Sequence, residues 1–138
     1  MKRIGLAVSD GLGITAQGLP TLQRTRLEDD LQKIQELTNE YSTARVIVGN
    51  PLGHRGGKTT MSRQAEGFAE KLRQRVNCPV VFWDERLTSV EANRALHETG
   101  LSLSKRRRAV DRVAATLLLQ SYLDFLSNER SRNAGATP

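Results

Sequence analysis

The sequence predicts an α/β domain with a mixed β-sheet flanked by helices. A hairpin pattern opens the chain, and helical and strand-like segments alternate after it. Hairpin strands pair antiparallel, whereas strands separated by helices pair in parallel, so a sheet that contains both is mixed. The length of 138 residues suffices for one domain with a hydrophobic core and is too short for two.

The first elements follow from local patterns. Arg3–Ser9 and Ile14–Leu22 predict the two strands of the hairpin, since Asp10-Gly11-Leu12-Gly13 between them is a turn signal. An amphipathic helix follows, because apolar residues recur at spacings of three and four: Leu27, Leu31, Ile34, Leu37 and Tyr41. The β-branched run Ala44–Gly49 predicts a buried strand.

The alternation then continues. A Gly-rich loop at Asn50–Thr60 precedes a second helix, which is predicted from an apolar stripe, and a buried strand at Pro79–Asp84 follows. The members of the stripe are Met61, Ala65, Phe68, Ala69, Leu72 and Val76. Thr88 and Glu91 have the spacing of a capping box, so a third helix is expected to begin there. Gly100 suits its C-terminal end.

The last helix is expected at Ala109–Ser127, after the segment Leu101–Arg108. The remaining residues are small and polar, so a disordered tail is expected. The predicted division of the chain is therefore one domain at 1–127 and a tail at 128–138.

The composition and net charge of the chain indicate which classes of binding partner to expect. The net charge is +6, from 21 Lys and Arg against 15 Asp and Glu, which favours nucleic acid first and an anionic membrane surface second. No run of about 18 apolar residues and no signal peptide pattern occurs, so we expect a cytoplasmic protein with no membrane partner. The one cysteine, Cys78, forms no internal disulfide and fits a reducing compartment.

Three acids are candidates for a functional site. Asp84 and Glu85 end a buried strand, and Asp111 interrupts the apolar face of the last helix near its start. Acids at helix N-termini also stabilise the helix dipole by about 0.3–1 kcal/mol, so a purely structural role stays open for Asp111. Carboxylates at one end of a sheet-and-helix layer would suit Mg²⁺ or Mn²⁺.

Two segments of the sequence are rich in basic residues. The cluster Lys105, Arg106, Arg107 and Arg108 directly precedes Asp111, with Arg112 after it. Such a cluster is either a solvated surface or a contact to nucleic acid phosphates. The loop Gly53–Thr59 resembles a phosphate-binding P-loop, but only three residues separate Gly53 from Gly57 where a P-loop has four. This departure argues against a small P-loop NTPase.

Four segments together resemble the YqgF (RuvX) family: Arg3–Asp10 (RIGLAVSD), Val48–Leu52 (VGNPL), Asp84–Thr88 (DERLT) and Val110–Ala115 (VDRVAA). The resemblance extends from residue 2 to about residue 126. Members are bacterial proteins described as Holliday-junction-resolvase-like enzymes and as nucleases that process the 5′ end of pre-16S rRNA. DERLT and VDRVAA are its most specific segments.

The resemblance implies an RNase H-like fold whose acids converge on a divalent metal, Mg²⁺ or Mn²⁺. Carried over to this sequence, the catalytic and metal-binding residues are Glu85 and Asp111, with Asp84 a less favoured strand ligand. Arg86 and the cluster Lys105, Arg106, Arg107 and Arg108 are then expected to contact nucleic acid.

One departure from the family concerns the N-terminus. Members have an apolar strand that ends in Asp-x-Gly upstream of the segment matching Lys2–Gly5, whereas this sequence begins with Met1. We therefore expect the first strand and its metal-binding Asp to be missing, through a misplaced start or a true loss, and we expect the chain as written to have little metal-dependent nuclease activity. In the family fold this strand lies between the hairpin and the strand Ala44–Gly49.

The sequence thus predicts a metal-dependent nuclease of the YqgF type that acts in ribosome biogenesis, with pre-16S rRNA as the favoured substrate. Branched DNA, and hence Holliday-junction resolution, is an alternative. A non-catalytic RNA-binding factor of ribosome assembly is another, since the basic cluster does not require a complete metal site.

Overall fold

The computed structural model describes residues 3–50, 60–84 and 103–135. These residues form four strands and three helices. The strands are β1 (Arg3–Ser9), β2 (Ala16–Gln23), β3 (Val46–Asn50) and β4 (Val80–Asp84), and the helices are α1 (Leu27–Glu40), α2 (Thr60–Arg73) and α3 (Leu103–Gly135). The predicted α/β class is confirmed.

The strands β1 and β2 form the predicted antiparallel hairpin, with Ile4 opposite Leu22 and Ser9 opposite Ala16. The second strand begins two residues later than predicted. The Asp10 carboxylate accepts hydrogen bonds from the backbone N–H groups of Ile14 and Thr15, at 2.7 and 3.2 Å. These bonds hold Ile14 and Thr15 in the turn, and they lower the pKa of Asp10.

The strands β3 and β4 pair in parallel, from Val46 opposite Val80 to Asn50 opposite Asp84. Among the described strands, β1 pairs only with β2 and β3 pairs only with β4. Both pairing directions of a mixed sheet are therefore present, but in two separate strand pairs. One continuous RNase H-like sheet, with a missing strand between β1 and β3, stays a prediction.

Aliphatic side chains from α1, α2, β4 and the segment between α2 and β4 form the main core, and α2 ends at Arg73, before Val76 of the predicted stripe. The buried members of this core are Leu31, Ile34, Ala69, Leu72, Val76 and Val80. Five of these six were on the predicted helical stripes, and Val80 lies in the predicted strand. Ile4 and Leu22, which face each other across the hairpin, pack against this cluster from the other side. One face of the hairpin therefore closes the core of α1 and α2.

The last helix is longer than predicted at both ends. It begins at Leu103 rather than Ala109, so the basic segment 105–108 is helical, and it continues to Gly135 rather than ending at Ser127. Arg and Lys are good helix formers, which allows the earlier start. An ion pair between Glu129 and Arg132 at i,i+3 supports the polar end. The predicted disordered tail 128–138 is thus helical as far as Gly135.

The helix α3 packs on the strands β1 and β2. Leu118, Tyr122 and Leu123 are its buried apolar residues. Within the part of the chain that the structure describes, no helix is long and apolar enough to cross a membrane.

Candidate functional site

Asp111 lies on α3 against the beginning of β1. Its Oδ2 accepts a hydrogen bond from Nε of Arg3 at 2.5 Å, and both side chains are partly exposed, at 26% and 30%. The two residues are 108 positions apart in sequence. Asp111, which sequence analysis assigned to a metal, therefore has a cationic partner that sequence analysis did not identify.

The contact between β1 and α3 at this point is unusually close. A Cβ placed on Gly5 would overlap the carbonyl oxygen of Asp111 and lie 2.6 Å from its carbonyl carbon. Strand residues two apart point to the same face, so Arg3 and Gly5 both face α3 while Ile4 faces the core. The missing side chain of Gly5 lets the helix backbone approach, and Arg3 then reaches Asp111.

A second close approach lies one residue further along the helix. A Cβ on Gly18 of β2 would lie 2.5 Å from Cγ of Arg112. The Arg112 Nε donates to the carbonyl oxygen of Leu19 at 3.0 Å. Arg112 therefore fastens α3 to β2, although its sequence position suggested an extension of the basic cluster.

The predicted nucleic-acid cluster is at the N-terminal end of α3. Lys105 is exposed, and positions 106–108 belong to the helix by their backbone. Positions 107 and 108 are four and three residues before Asp111, so on the helix they precede it by one turn. The structure thus places the segment next to Asp111 along α3, as the sequence indicated.

Glu85 and Arg86 lie outside the described residues, as do Gly53–Thr59, so their predicted roles stay predictions. Asp84 ends β4 opposite Asn50. Before Glu85 in the sequence, Trp83 is the last residue whose side chain is described. Its ring Nε1 donates to Ser121 Oγ at 3.2 Å, and its ring packs edge-on against Tyr122. Ser121 and Tyr122 follow Asp111 by about 15–17 Å along the helix, at a rise of 1.5 Å per residue.

The described residues by themselves do not make a metal site. No group of three or more His, Cys, Asp or Glu side chains suited to a metal comes together within 3–50, 60–84 and 103–135. Asp111 offers a carboxylate, but one of its oxygens already accepts from Arg3. Hard cations such as Mg²⁺ require several oxygen ligands. A Mg²⁺ or Mn²⁺ site at Asp111 stays a prediction, and its predicted second ligand, Glu85, lies outside the described residues.

Sequence analysis also did not identify the acid at Asp30, which is completely buried. Its carboxylate accepts from Arg24 Nε at 2.9 Å and from the backbone N–H of Thr25 at 3.2 Å. Burial alone raises the pKa of Asp30, but the hydrogen bonds from Arg24 and Thr25 outweigh it and lower the pKa below its ordinary value. Arg24 also lies over the Phe68 ring. This buried ion pair joins the end of β2 to α1 and α2, so its role is structural.

Comparison with known proteins covers nearly the whole chain. A family profile described as "RuvX: Holliday junction resolvase" matches residues 1–125. A protein of Clostridium acetobutylicum is 45% identical over 91% of this chain and 93% of its own length. One of Koribacter versatilis is 46% identical over 89% of this chain and 80% of its own length. Both relatives carry the name "putative pre-16S rRNA nuclease".

A profile match over most of the chain and relatives above 40% identity agree with the four sequence segments that carried the resemblance. The chain belongs to the RuvX family.

Proposed function

We propose that this protein is a nuclease of rRNA maturation that cleaves a phosphodiester bond near the 5′ end of pre-16S rRNA. The observation that carries the proposal is the position of Asp111: a partly exposed carboxylate beside Arg3, one helical turn after a segment of four consecutive basic residues. Cationic side chains bind the phosphates of a phosphodiester substrate, and a carboxylate beside them would help to hold the metal ion that assists hydrolysis. The name shared by the relatives supports rRNA as the substrate.

The proposed cofactor is Mg²⁺ or Mn²⁺, which Glu85 and Asp111 would hold. When bound, such an ion polarises the phosphoryl group and lowers the pKa of a bound water. The contribution of this chain's described residues is positional. Arg3 holds the Asp111 carboxylate in one place, and the close contact at Gly5 keeps the helix there.

The direct test is cleavage of a 5′-labelled pre-16S rRNA fragment by the full chain in Mg²⁺, in Mn²⁺ and in EDTA. Any cleavage should require Mg²⁺ or Mn²⁺, should stop in EDTA, and should be lost in Glu85→Gln and Asp111→Asn. Asp124→Asn is the matched control, since Asp124 is an exposed acid of the same helix, and it should cleave normally. Cleavage that persists in both site variants would contradict the assignment of these residues.

The same assay decides between the alternatives. A four-way DNA junction, offered in place of RNA, tests the Holliday-junction activity that the family description states. RNA binding without cleavage under any metal would favour a non-catalytic assembly factor. Replacement of Arg106, Arg107 and Arg108 by Ala should then still reduce the salt dependence of RNA binding, by up to about 2–3 units of log K against log salt.

A further inference from the structure

Arg3 is the residue near the candidate site for which the sequence gave no role. It begins β1, and its guanidinium contacts the Asp111 carboxylate through Nε. A guanidinium carries five N–H donors in a rigid plane, and Nε–H is one of them. Among the described residues, no hydrogen bond other than this one is formed by the Arg3 side chain. Within residues 3–50, 60–84 and 103–135, the four N–H donors on its two terminal nitrogens therefore form no hydrogen bond.

Other arginines of the described part are engaged differently. Arg24 pairs with the buried Asp30 and covers Phe68. Arg73 donates twice to the carbonyl oxygen of Val80 and covers Phe82. Arg73 also pairs with Glu70. Each of these two arginines thus combines a carboxylate partner with an aromatic ring and has a structural role, whereas the described hydrogen bond of the Arg3 side chain goes to Asp111 alone.

The segment of α3 that carries the partner of Arg3 is rich in basic residues. The helical segment 105–112 carries five basic residues and one acidic residue, Asp111. An acceptor that approaches the remaining donors of Arg3 therefore enters a positive field, which favours an anion. The oxygens of phosphates, like those of carboxylates, match the planar fork of a guanidinium, and phosphate is the anion that the proposed RNA substrate carries.

We propose that Arg3 binds a backbone phosphate of single-stranded RNA, with Asp111 acting as the residue that orients its guanidinium. The orientation is built in before RNA arrives. Gly5 allows the backbone of Asp111 to contact β1 directly, so the carboxylate and the start of the strand are fixed relative to each other. This inference rests on the proposed function, because it takes RNA as the substrate.

The test is RNA binding at a series of salt concentrations in EDTA, so that cleavage plays no part. The probe is a short fluorescent single-stranded RNA, followed by anisotropy with wild type, Arg3→Gln, Arg3→Lys and Arg132→Gln. Arg132 is the matched control: it also pairs with a carboxylate, Glu129, and lies on α3, about 30 Å beyond Asp111. Its loss changes the net charge by the same amount as the loss of Arg3.

We expect Arg3→Gln to weaken RNA binding severalfold and to reduce the slope of log K against log salt by about 0.7, the value for one phosphate contact on a single strand. Arg3→Lys should keep the slope, and Arg132→Gln should match wild type. A wild-type slope in Arg3→Gln would overturn the inference, and so would an equal reduction in Arg132→Gln. Both of those results would leave the nuclease proposal standing.

A second measurement uses the unaltered protein, in case Arg3→Gln does not fold. Phenylglyoxal modifies accessible arginines, and mass spectrometry locates the products. Bound RNA should protect Arg3 and leave Arg132 reactive, whereas equal reactivity of Arg3 with and without RNA would overturn the inference. A wild-type protein that binds no RNA would contradict both this inference and the proposed function, while RNA binding without cleavage would contradict the nuclease proposal alone.

Discussion

The two strand pairs of this protein are held against their helices in different ways. The parallel pair β3–β4 packs on α1 and α2 through aliphatic side chains such as Leu72 and Val80. The contact of the hairpin β1–β2 with α3 also includes glycines and polar groups: Gly5 against the Asp111 backbone, Gly18 against Arg112, and the Arg3–Asp111 ion pair. Aliphatic side chains can adjust their rotamers when a neighbour changes, whereas a backbone contact at a glycine leaves no such freedom.

This difference has a functional consequence. The predicted site residue Asp111 lies at the rigid contact, where its position relative to β1 depends on backbone geometry. A polar site needs its groups held to within a fraction of an ångström. The aliphatic half provides most of the stability, and the hairpin half provides the precise placement. The four predictions below test that division, in order of decreasing expected effect.

The largest loss of stability is expected from a substitution in the aliphatic half, which consists of β3, β4, α1 and α2. Leu72→Ala removes a side chain that is only 2% exposed, and such substitutions cost about 2–5 kcal/mol because a cavity remains. Urea denaturation measures the free energy of unfolding. Leu12→Ala is the control, since Leu12 is 76% exposed and its loss should change stability by less than about 0.5 kcal/mol. Equal effects in the two variants would show that the core is not where the structure places it.

The second-largest loss of stability is expected at the buried ion pair between Arg24 and Asp30. The free energy of unfolding that this pair contributes should depend on pH. The pKa of Asp30 is lower in the folded protein than its ordinary value of 3.8. Its contribution to stability is therefore complete above that value and is lost as the pH falls through the lower, folded pKa. Asp30→Asn should cost about 1.5–3 kcal/mol at neutral pH and should flatten the acid limb of the stability profile.

The neighbouring Asp29 is the control for Asp30, since it is exposed in the same helical turn. Asp29→Asn should cost less than Asp30→Asn and should keep the steep acid limb. An acid limb that is unchanged in Asp30→Asn would contradict the assignment of this pH dependence to the buried pair.

Gly5→Ala tests the rigid contact. The new methyl group would overlap the Asp111 carbonyl group, so strand and helix must separate, at a cost of about 1–3 kcal/mol or more. Gly67→Ala is the matched control because a Cβ there meets nothing within 4 Å. In the middle of α2 this substitution should stabilise by about 0.5–1 kcal/mol. Thermal unfolding of both variants should give shifts of opposite sign, and two shifts of the same sign would refute the close approach.

The smallest loss of stability is expected from the substitution of Gln120 in α3. Its side-chain amide donates to the Ile14 carbonyl oxygen at 2.8 Å and accepts from the Ala16 N–H at 2.9 Å, so it pairs with the hairpin as a neighbouring strand does. Gln120→Ala should cost about 1 kcal/mol. Gln32→Ala, which loses only a bond to Glu36 on the exposed surface of α1, should cost about 0.2–0.5 kcal/mol. Amide exchange at Ala16 should accelerate in the first variant alone.

Much of the fold could be predicted from local patterns. The spacings of Leu31, Ile34, Ala69 and Leu72 identified the faces of α1 and α2 that the structure buries. The boundaries were less accurate where a polar side chain decides them. The hydrogen bonds of Asp10 hold Ile14 and Thr15 in the turn, so β2 begins after them. The helix begins at Leu103 because its first turns contain basic residues that form helix well, and a pattern of apolar positions does not take such residues into account.

The candidate site was predictable only in part. The sequence identified Asp111, and its helix brings the basic segment 105–108 beside it because both lie within two turns. The predicted partners Glu85 and Arg86 remain predictions. Arg3 was not found, since one arginine before an apolar strand carries no signal of its own.

By itself, the sequence determined the α/β class, the aliphatic faces of the helices and membership of the RuvX family. These properties depend on residue types at fixed, short spacings along the chain, because such spacings decide which apolar side chains share a face and can be buried together. The tertiary structure alone decided that Arg3 pairs with Asp111 across 108 residues, that Gly5 admits the helix backbone, and that Arg112 and Gln120 fasten the hairpin. Periodicity states which face of an element is buried, but the partner that covers this face is set only when distant segments pack together.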